Sequence, residues 1–216
     1  HHGTTIDESD VAVCFYGDLF RRDPQAADAA EFEQSRAGAA EMLSNRGGGL
    51  ALSTLRQAAG EAAYERTVDM VATMTHVPDL LPRIFERIDA VVTEETRVVV
   101  GHSLGSVIAY SAVRRNPQWN VHTLVTLGSP LGQPMIRSQL NPPVARGEGW
   151  PGSVQRWVNV AAVGDRAASI GQLADVYDLR VQDVLVDNGH RAHDPEPYLN
   201  ASPTGAAIAA ALALDA

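Results

Sequence analysis

Five short apolar runs constrain the fold of this chain more than any other feature. They are rich in Val, Ile, Leu and aromatic residues and span 11–16, 97–100, 121–127, 157–163 and 181–186. Nearly every position in them is apolar, which is typical of strands covered by helices on both faces. Helical patterns separate most of the runs. The sequence therefore predicts an α/β fold with a mostly parallel central sheet flanked by helices on both faces.

The helical patterns predict a single domain with a long excursion between its first two strands. Asp23-Pro24 marks a helix start, since an Asp cap followed by proline at the first helical position favours initiation. That helix is expected to run to about residue 43, and further patterns cover 55–74, 80–92, 104–115 and about 196–214. Residues 24–92 form either a cap over the site or ordinary packed helices, and we favour the second. No linker or repeat interrupts the 216 residues.

The segment VVVGHSLGSVIAYSAV, residues 98–113, places a serine between two glycines where a strand gives way to a helix. This setting is typical of a nucleophile on a sharp strand-to-helix turn, because side chains at Gly101 and Gly105 would collide with the neighbouring strand and helix. The pattern predicts Ser103 as a nucleophile and the Leu104 N–H, at the start of the helix, as an oxyanion donor. The alternative is a glycine-rich turn with an incidental serine.

A serine nucleophile needs a base and a third group that orients the base, and both are expected beyond the ends of later strands. Asp165 follows the fourth apolar run and is the predicted acid; the alternative is a turn residue that caps the next helix. Two histidines lie in the loop before the last helix. His193 is the preferred base, because the Asp194-Pro195 helix start would fix its position. His190, beside a flexible glycine, is the alternative.

Four segments of the chain, VVVGHSLGSVIAY, LVTLGSPLG, VNVAAVGDRAAS and GHRAHDPEPYL, together resemble α/β-hydrolases of the lipase and esterase type. The resemblance covers about residues 97–214, and its most specific part is the turn around Ser103. It implies Ser103 as nucleophile, Asp165 as acid and His193 as base, in the chain order that such enzymes show.

The resemblance also implies where a substrate would lie. In the family, the loop after the next strand lines the pocket, which here assigns Ser129 and Pro130 to substrate contact rather than to reaction. Leu131, together with Leu104, is expected to form an apolar wall. His102 occupies the variable position of the turn, whose side chain generally points away from Ser103, and it completes the set of predicted substrate-binding residues.

One feature of the family is not found in the chain. In the family, an early central strand ends in a His-Gly loop that supplies the second oxyanion N–H. His2-Gly3 imitates this loop, but too few residues separate it from Val11 for the helix that should intervene. We therefore expect that the first strand and its oxyanion loop are missing from this chain, or that another chain completes the sheet.

Composition argues against several partners and cofactors. A formal net charge of -9 without a dense Lys/Arg cluster argues against nucleic acid, and no apolar stretch of about 20 residues predicts a membrane span. Cys14 is the single cysteine and is interpreted as part of a buried strand, which fits a reducing, cytoplasmic setting. The His and Asp spacings predict no metal site, and no phosphate-binding loop is present, so no cofactor is expected.

The leading functional hypothesis is a cofactor-free serine hydrolase that cleaves an ester or thioester of an uncharged acyl group through an acyl-enzyme on Ser103. Arg191 is the only Arg or Lys within 101–105, 128–130 and 187–194, so a small or lipid-like acyl substrate is expected. An acyltransferase or cyclase would use the same acyl-enzyme, whereas a non-catalytic binding module on a hydrolase scaffold would not react. A homo-oligomer is compatible with the sequence.

Overall fold

A computed structural model describes residues 5–20, 29–45, 65, 68–69, 72–73, 79–165, 167–168 and 172–213. The chain divides into two compact units. The first, here called the helical unit, is Glu8–Val91. The second, here called the sheet unit, combines His1–Asp7 with Val92–Ala216.

The helical unit contains helix α1, Ala29–Asn45, and helix α2, Leu80–Val91. Helix α2 buries Leu80, Ile84, Phe85 and Ile88, a spacing that places one apolar stripe along a helix. The helix predicted over 80–92 is therefore confirmed. The predicted helix start at Asp23-Pro24 and most of the pattern at 55–74 lie outside the described residues.

The prediction of a first strand at residues 11–16 is wrong. Between two short 3-10 turns, Glu8–Asp10 and Gly17–Phe20, the segment is irregular, and Val11, Val13 and Phe15 are 57%, 80% and 64% exposed. Two of its backbone groups have partners outside any strand ladder. The Val11 N–H donates to Glu8 O, and the Phe15 carbonyl accepts from Arg87. Cys14, predicted to be buried, is partly exposed.

The sheet unit is built on four parallel strands that lie in chain order, β1-β2-β3-β4. They are β1, Val98–His102; β2, Thr123–Leu127; β3, Arg156–Ala162; and β4, Gln182–Val186. The register places Val125 of β2 between Val100 of β1 and Val158 of β3. The predicted α/β class and parallel sheet are confirmed.

Helices of the sheet unit pack on both faces of this sheet. They are α3, Leu104–Arg115; α4, Pro134–Gln139; α5, Pro195–Asn200; and α6, Ser202–Leu212. On one face, Tyr110 of α3 packs in a buried cluster with Leu124 and Trp157. On the other face, Tyr198 of α5 and Ala207 of α6 belong to a second buried cluster, with Val125, Leu127, Val158 and Val160.

The helix predicted over about 196–214 is instead two helices. Ala201, between α5 and α6, has extended backbone angles of -67° and 135°. Pro203, in the first turn of α6, explains the break, because in a continuous helix it would have no N–H to donate to the carbonyl of Leu199 and its ring would clash with that carbonyl.

Candidate active site

The turn from β1 into α3 holds Ser103 in an unusual backbone conformation. Ser103 has φ 53° and ψ -129°, and it is the one non-glycine residue with positive φ among those described. Its N–H donates to Leu127 O at 2.9 Å, which fixes the turn against β2. A Cβ at Gly101 would lie 2.6 Å from both Gly105 O and the Ser106 Cα, so the close approach of β1 and α3 requires glycine there. Such a strained turn is typical of a functional residue.

The Ser103 hydroxyl does not serve as a helix cap. Ser103 stands at the N-cap position of α3, yet its side chain accepts no hydrogen bond from the helix N–H groups. Its Oγ lies 2.9 Å from His193 Nε2 instead. The hydroxyl is therefore free of the structural role that would explain a serine at this position.

The other ring nitrogen of His193 contacts a buried carboxylate. His193 Nδ1 lies 3.0 Å from both carboxylate oxygens of Asp165. With Nδ1–H donating to the carboxylate, Nε2 remains the acceptor for the Ser103 hydroxyl proton. Asp165 also accepts from the Ala167 N–H at 2.9 Å, so it orients the imidazole and caps a turn at once.

The loop before α5 fixes the position of His193. Asp194 is the N-cap of α5, accepting from the Glu196 N–H at 3.2 Å, and Arg191 donates to the Asp194 carboxylate at 2.9 Å. The structure thus brings His193 to Ser103. His190 is exposed on a short 3-10 turn, Gly189–Arg191.

Burial and hydrogen bonding act on the Asp165 carboxylate in opposite directions. Burial alone would raise its pKa, but hydrogen bonds from His193, Tyr198 and the Ala167 N–H outweigh that effect and leave the pKa below its ordinary value. Its side chain is 0% exposed. Asp165 is therefore held as a carboxylate, the form that stabilises an imidazolium at His193.

The His102 side chain contacts the backbone of the loop that carries His193. Its Nε2 lies 3.0 Å from the backbone carbonyl of His193, where it can donate, and the two rings are 5.0 Å apart. Burial, and secondly the neighbouring His193, lower the pKa of His102 below its ordinary value. A neutral His102 thus links the turn at Ser103 to the His193 loop through this hydrogen bond.

The loop after β2 passes close to Asp165. Gly128 has φ +54°, and a Cβ there would lie 2.8 Å from Asp165 Oδ2. Ser129 is buried and caps a 3-10 turn, accepting from the Leu131 N–H at 3.2 Å. Leu131 is 0% exposed and packs in the core on the α3 face, so it offers no surface to a ligand; Pro130 stays partly exposed.

Of the two positions considered for oxyanion donors, only Leu104 lies within the described residues. Leu104 is the first residue of α3, so its N–H has no partner inside the helix and lies beside Ser103. His2-Gly3, considered for the second donor, lies outside the described residues.

The sequence interpretation missed two side chains that hold the site together. Tyr198 donates to Asp165 Oδ2 at 2.5 Å. Ser106 Oγ lies within hydrogen-bond distance of the Ser103 carbonyl oxygen and 2.7 Å from Ser129 Oγ, joining the two loops. The sequence contained a signal for Tyr198. It falls about one helical turn after the Asp194 cap, which places it near the loop that carries His193.

Comparison of the chain with family models, with curated proteins and with solved structures found no match. Within the described ranges, no three His, Cys, Asp or Glu side chains are grouped so that they could hold a metal ion. The described helices are each too short or too polar to cross a membrane. The case for a function therefore rests on the geometry around Ser103.

Proposed function

We propose that this protein is a serine hydrolase that cleaves an ester or thioester of an uncharged acyl group through an acyl-enzyme on Ser103. The observation that carries the proposal is the unbroken chain of contacts from Ser103 Oγ through His193 to Asp165, at 2.9 Å and 3.0 Å. A nucleophile, a base within reach of it and a buried carboxylate behind the base are the parts that covalent catalysis by serine requires.

Acylation follows from the positions of these groups. His193 Nε2 takes the hydroxyl proton as Ser103 Oγ attacks the carbonyl carbon, and the carbonyl π electrons move to its oxygen. The Leu104 N–H, at the positive end of α3, is placed to stabilise that oxyanion. When the tetrahedral intermediate collapses, the bond to the alcohol or thiol breaks, and the leaving group takes the proton from His193.

Deacylation repeats the same proton path with water. His193 Nε2 removes a proton from water, the hydroxide attacks the acyl carbon, and the bond to Ser103 Oγ breaks. Ser103 Oγ then regains its proton from His193, and the carboxylic acid leaves. Throughout, Asp165 keeps the imidazole oriented and stabilises its positive charge without taking the proton.

The charges beside the site support an uncharged acyl group. Arg191, the basic residue of the His193 loop, donates to Asp194 at 2.9 Å and to Glu196 at 2.6 Å. Its guanidinium is thus already bound to two carboxylates, and an acidic substrate would have to displace them. Desolvating a substrate charge without a partner is costly, whereas an apolar acyl chain carries no such penalty.

The first test uses a fluorophosphonate probe and p-nitrophenyl butyrate as an uncharged ester. We expect the wild-type protein to be labelled at Ser103, as read by peptide mass spectrometry, and to release p-nitrophenol. Ser103→Ala should lose both properties. Ser111→Ala is the matched control, because the Ser111 hydroxyl donates to Val107 O within α3 at 2.7 Å.

The same experiment separates the alternatives. A folded wild-type protein that neither reacts with the probe nor hydrolyses the ester would overturn the proposal and favour a binding module. Labelling together with ester products from an added alcohol, in place of butyrate, would show that acyl transfer outcompetes hydrolysis.

A further inference from the structure

Tyr198 lies behind the carboxylate of the proposed triad. It is 0% exposed and stands in α5, five residues after His193. Its hydroxyl lies 2.8 Å from the Ala162 N–H at the end of β3 and 2.5 Å from Asp165 Oδ2. A backbone N–H can only donate, so the phenol accepts from Ala162 and directs its own proton to the carboxylate.

The two oxygens of Asp165 are held by different donors. Oδ1 accepts from the Ala167 N–H at 2.9 Å, and Oδ2 accepts from Tyr198, while His193 Nδ1 is 3.0 Å from each. If the Tyr198 phenol were removed, the His193 imidazole would be the one remaining donor of this set at the buried Oδ2. Donors at both oxygens fix the plane of the carboxylate and spread its negative charge.

We propose that Tyr198 is a positioning residue that holds Asp165 ionised and in line with His193, and thereby sets the pH at which Ser103 becomes reactive. This inference rests on the proposed hydrolase function. Tyr198 touches neither Ser103 nor the reacting atoms, so it acts through Asp165.

The direction of the effect follows from hydrogen-bond chemistry. A donor to a carboxylate stabilises the charged form, so losing the phenol makes Asp165 more basic. A more basic carboxylate holds a proton on the His193–Asp165 pair to higher pH, and the protonated pair cannot accept the Ser103 proton. The other charged or titratable groups facing the pair are His102, on β1, and Asp194, which Arg191 binds.

The experiment measures kcat/KM for p-nitrophenyl butyrate from pH 5 to pH 9 on the full chain. For Tyr198→Phe we expect the midpoint of the acidic limb to move up by about 0.5–1 pH unit, with kcat/KM near that limb reduced about tenfold. Tyr110→Phe is the matched control, because Tyr110 is equally buried and donates to the Gly149 carbonyl at 2.8 Å. It should lose comparable stability and keep the wild-type midpoint.

A second variant covers the case in which Tyr198→Phe does not fold. 3-Fluorotyrosine at position 198 is a more acidic phenol and a stronger donor, so the acidic limb should move to lower pH. A midpoint that stays at the wild-type value in the folded variant, or that moves up with 3-fluorotyrosine, would overturn the role of Tyr198. Failure of the hydrolase proposal looks different, since the wild-type protein itself would then show no activity.

Discussion

His193 and His190 lie three residues apart in one loop, yet only the first is within hydrogen-bond distance of Ser103 Oγ. His193→Ala removes both the proposed proton acceptor and the ring that contacts Asp165. We expect kcat/KM for p-nitrophenyl butyrate to fall by about 10⁴-fold or more, as loss of a triad base does. His190→Ala is the matched control and should change kcat/KM by less than about threefold, because the His190 side chain is exposed. The opposite ranking of the two variants would refute the assignment of the base.

Chain order and local pattern were enough to predict Ser103, Asp165 and His193 as residues that would meet. Each follows directly after a strand or precedes a helix, so a parallel sheet carries all three to one edge. The contact of Tyr198 with Asp165 and that of His102 with the His193 carbonyl were not predicted, because they depend on which way a side chain points.

At the scale of elements, the close approach of β1 to α3 depends on Gly101, which has no side chain. Gly101→Ala would place a methyl group 2.6 Å from Gly105 O, inside van der Waals contact. We expect the free energy of unfolding to fall by about 1–3 kcal/mol, measured by urea denaturation followed by circular dichroism. Gly38→Ala is the contrasting control. Gly38 lies within α1 with nothing within 4 Å of the added Cβ, so helix propensity should raise stability by about 0.5–1 kcal/mol. Equal stability of Gly101→Ala and wild type would contradict the tight turn.

The apolar runs predicted β1 to β4 well and failed at residues 11–16. The four successful runs have ladder partners on a neighbouring strand. The segment at 11–16 has the same composition, but its Phe15 carbonyl accepts from Arg87, whose guanidinium also binds Asp18 at 2.8 Å. Apolarity marks residues that favour strands, and ladder partners decide whether a strand forms.

For the whole molecule, acid should weaken the fold in two stages. The pKa values of His102 and Asp165 are both lowered by the native structure, so the unfolded chain binds more protons than the native one as the pH falls. His102 acts first, below about pH 6.5, and Asp165 acts below about pH 4, the ordinary pKa values of the two groups. The stabilisation that each group contributes is present above these values and is lost below them.

The first stage can be isolated with His102→Gln, which keeps an N–H donor but cannot take up a proton in this range. We expect its urea midpoint to fall less than that of wild type between pH 7 and pH 5, while both proteins lose stability alike below pH 4. Parallel losses between pH 7 and pH 5 would show that His102 does not contribute to the acid sensitivity.

The order in which Ser103, Asp165 and His193 are synthesised sets when the proposed chemistry could begin. Ser103 is synthesised 90 residues before His193, and Asp165 comes 28 residues before His193. A nascent chain that ends anywhere before residue 193 carries Ser103 without the proposed base, even where β1 and α3 have already formed. Since domains fold as units during synthesis, Ser103 would gain the proposed reactivity only when the loop that follows β4 folds against the sheet and brings His193 to it.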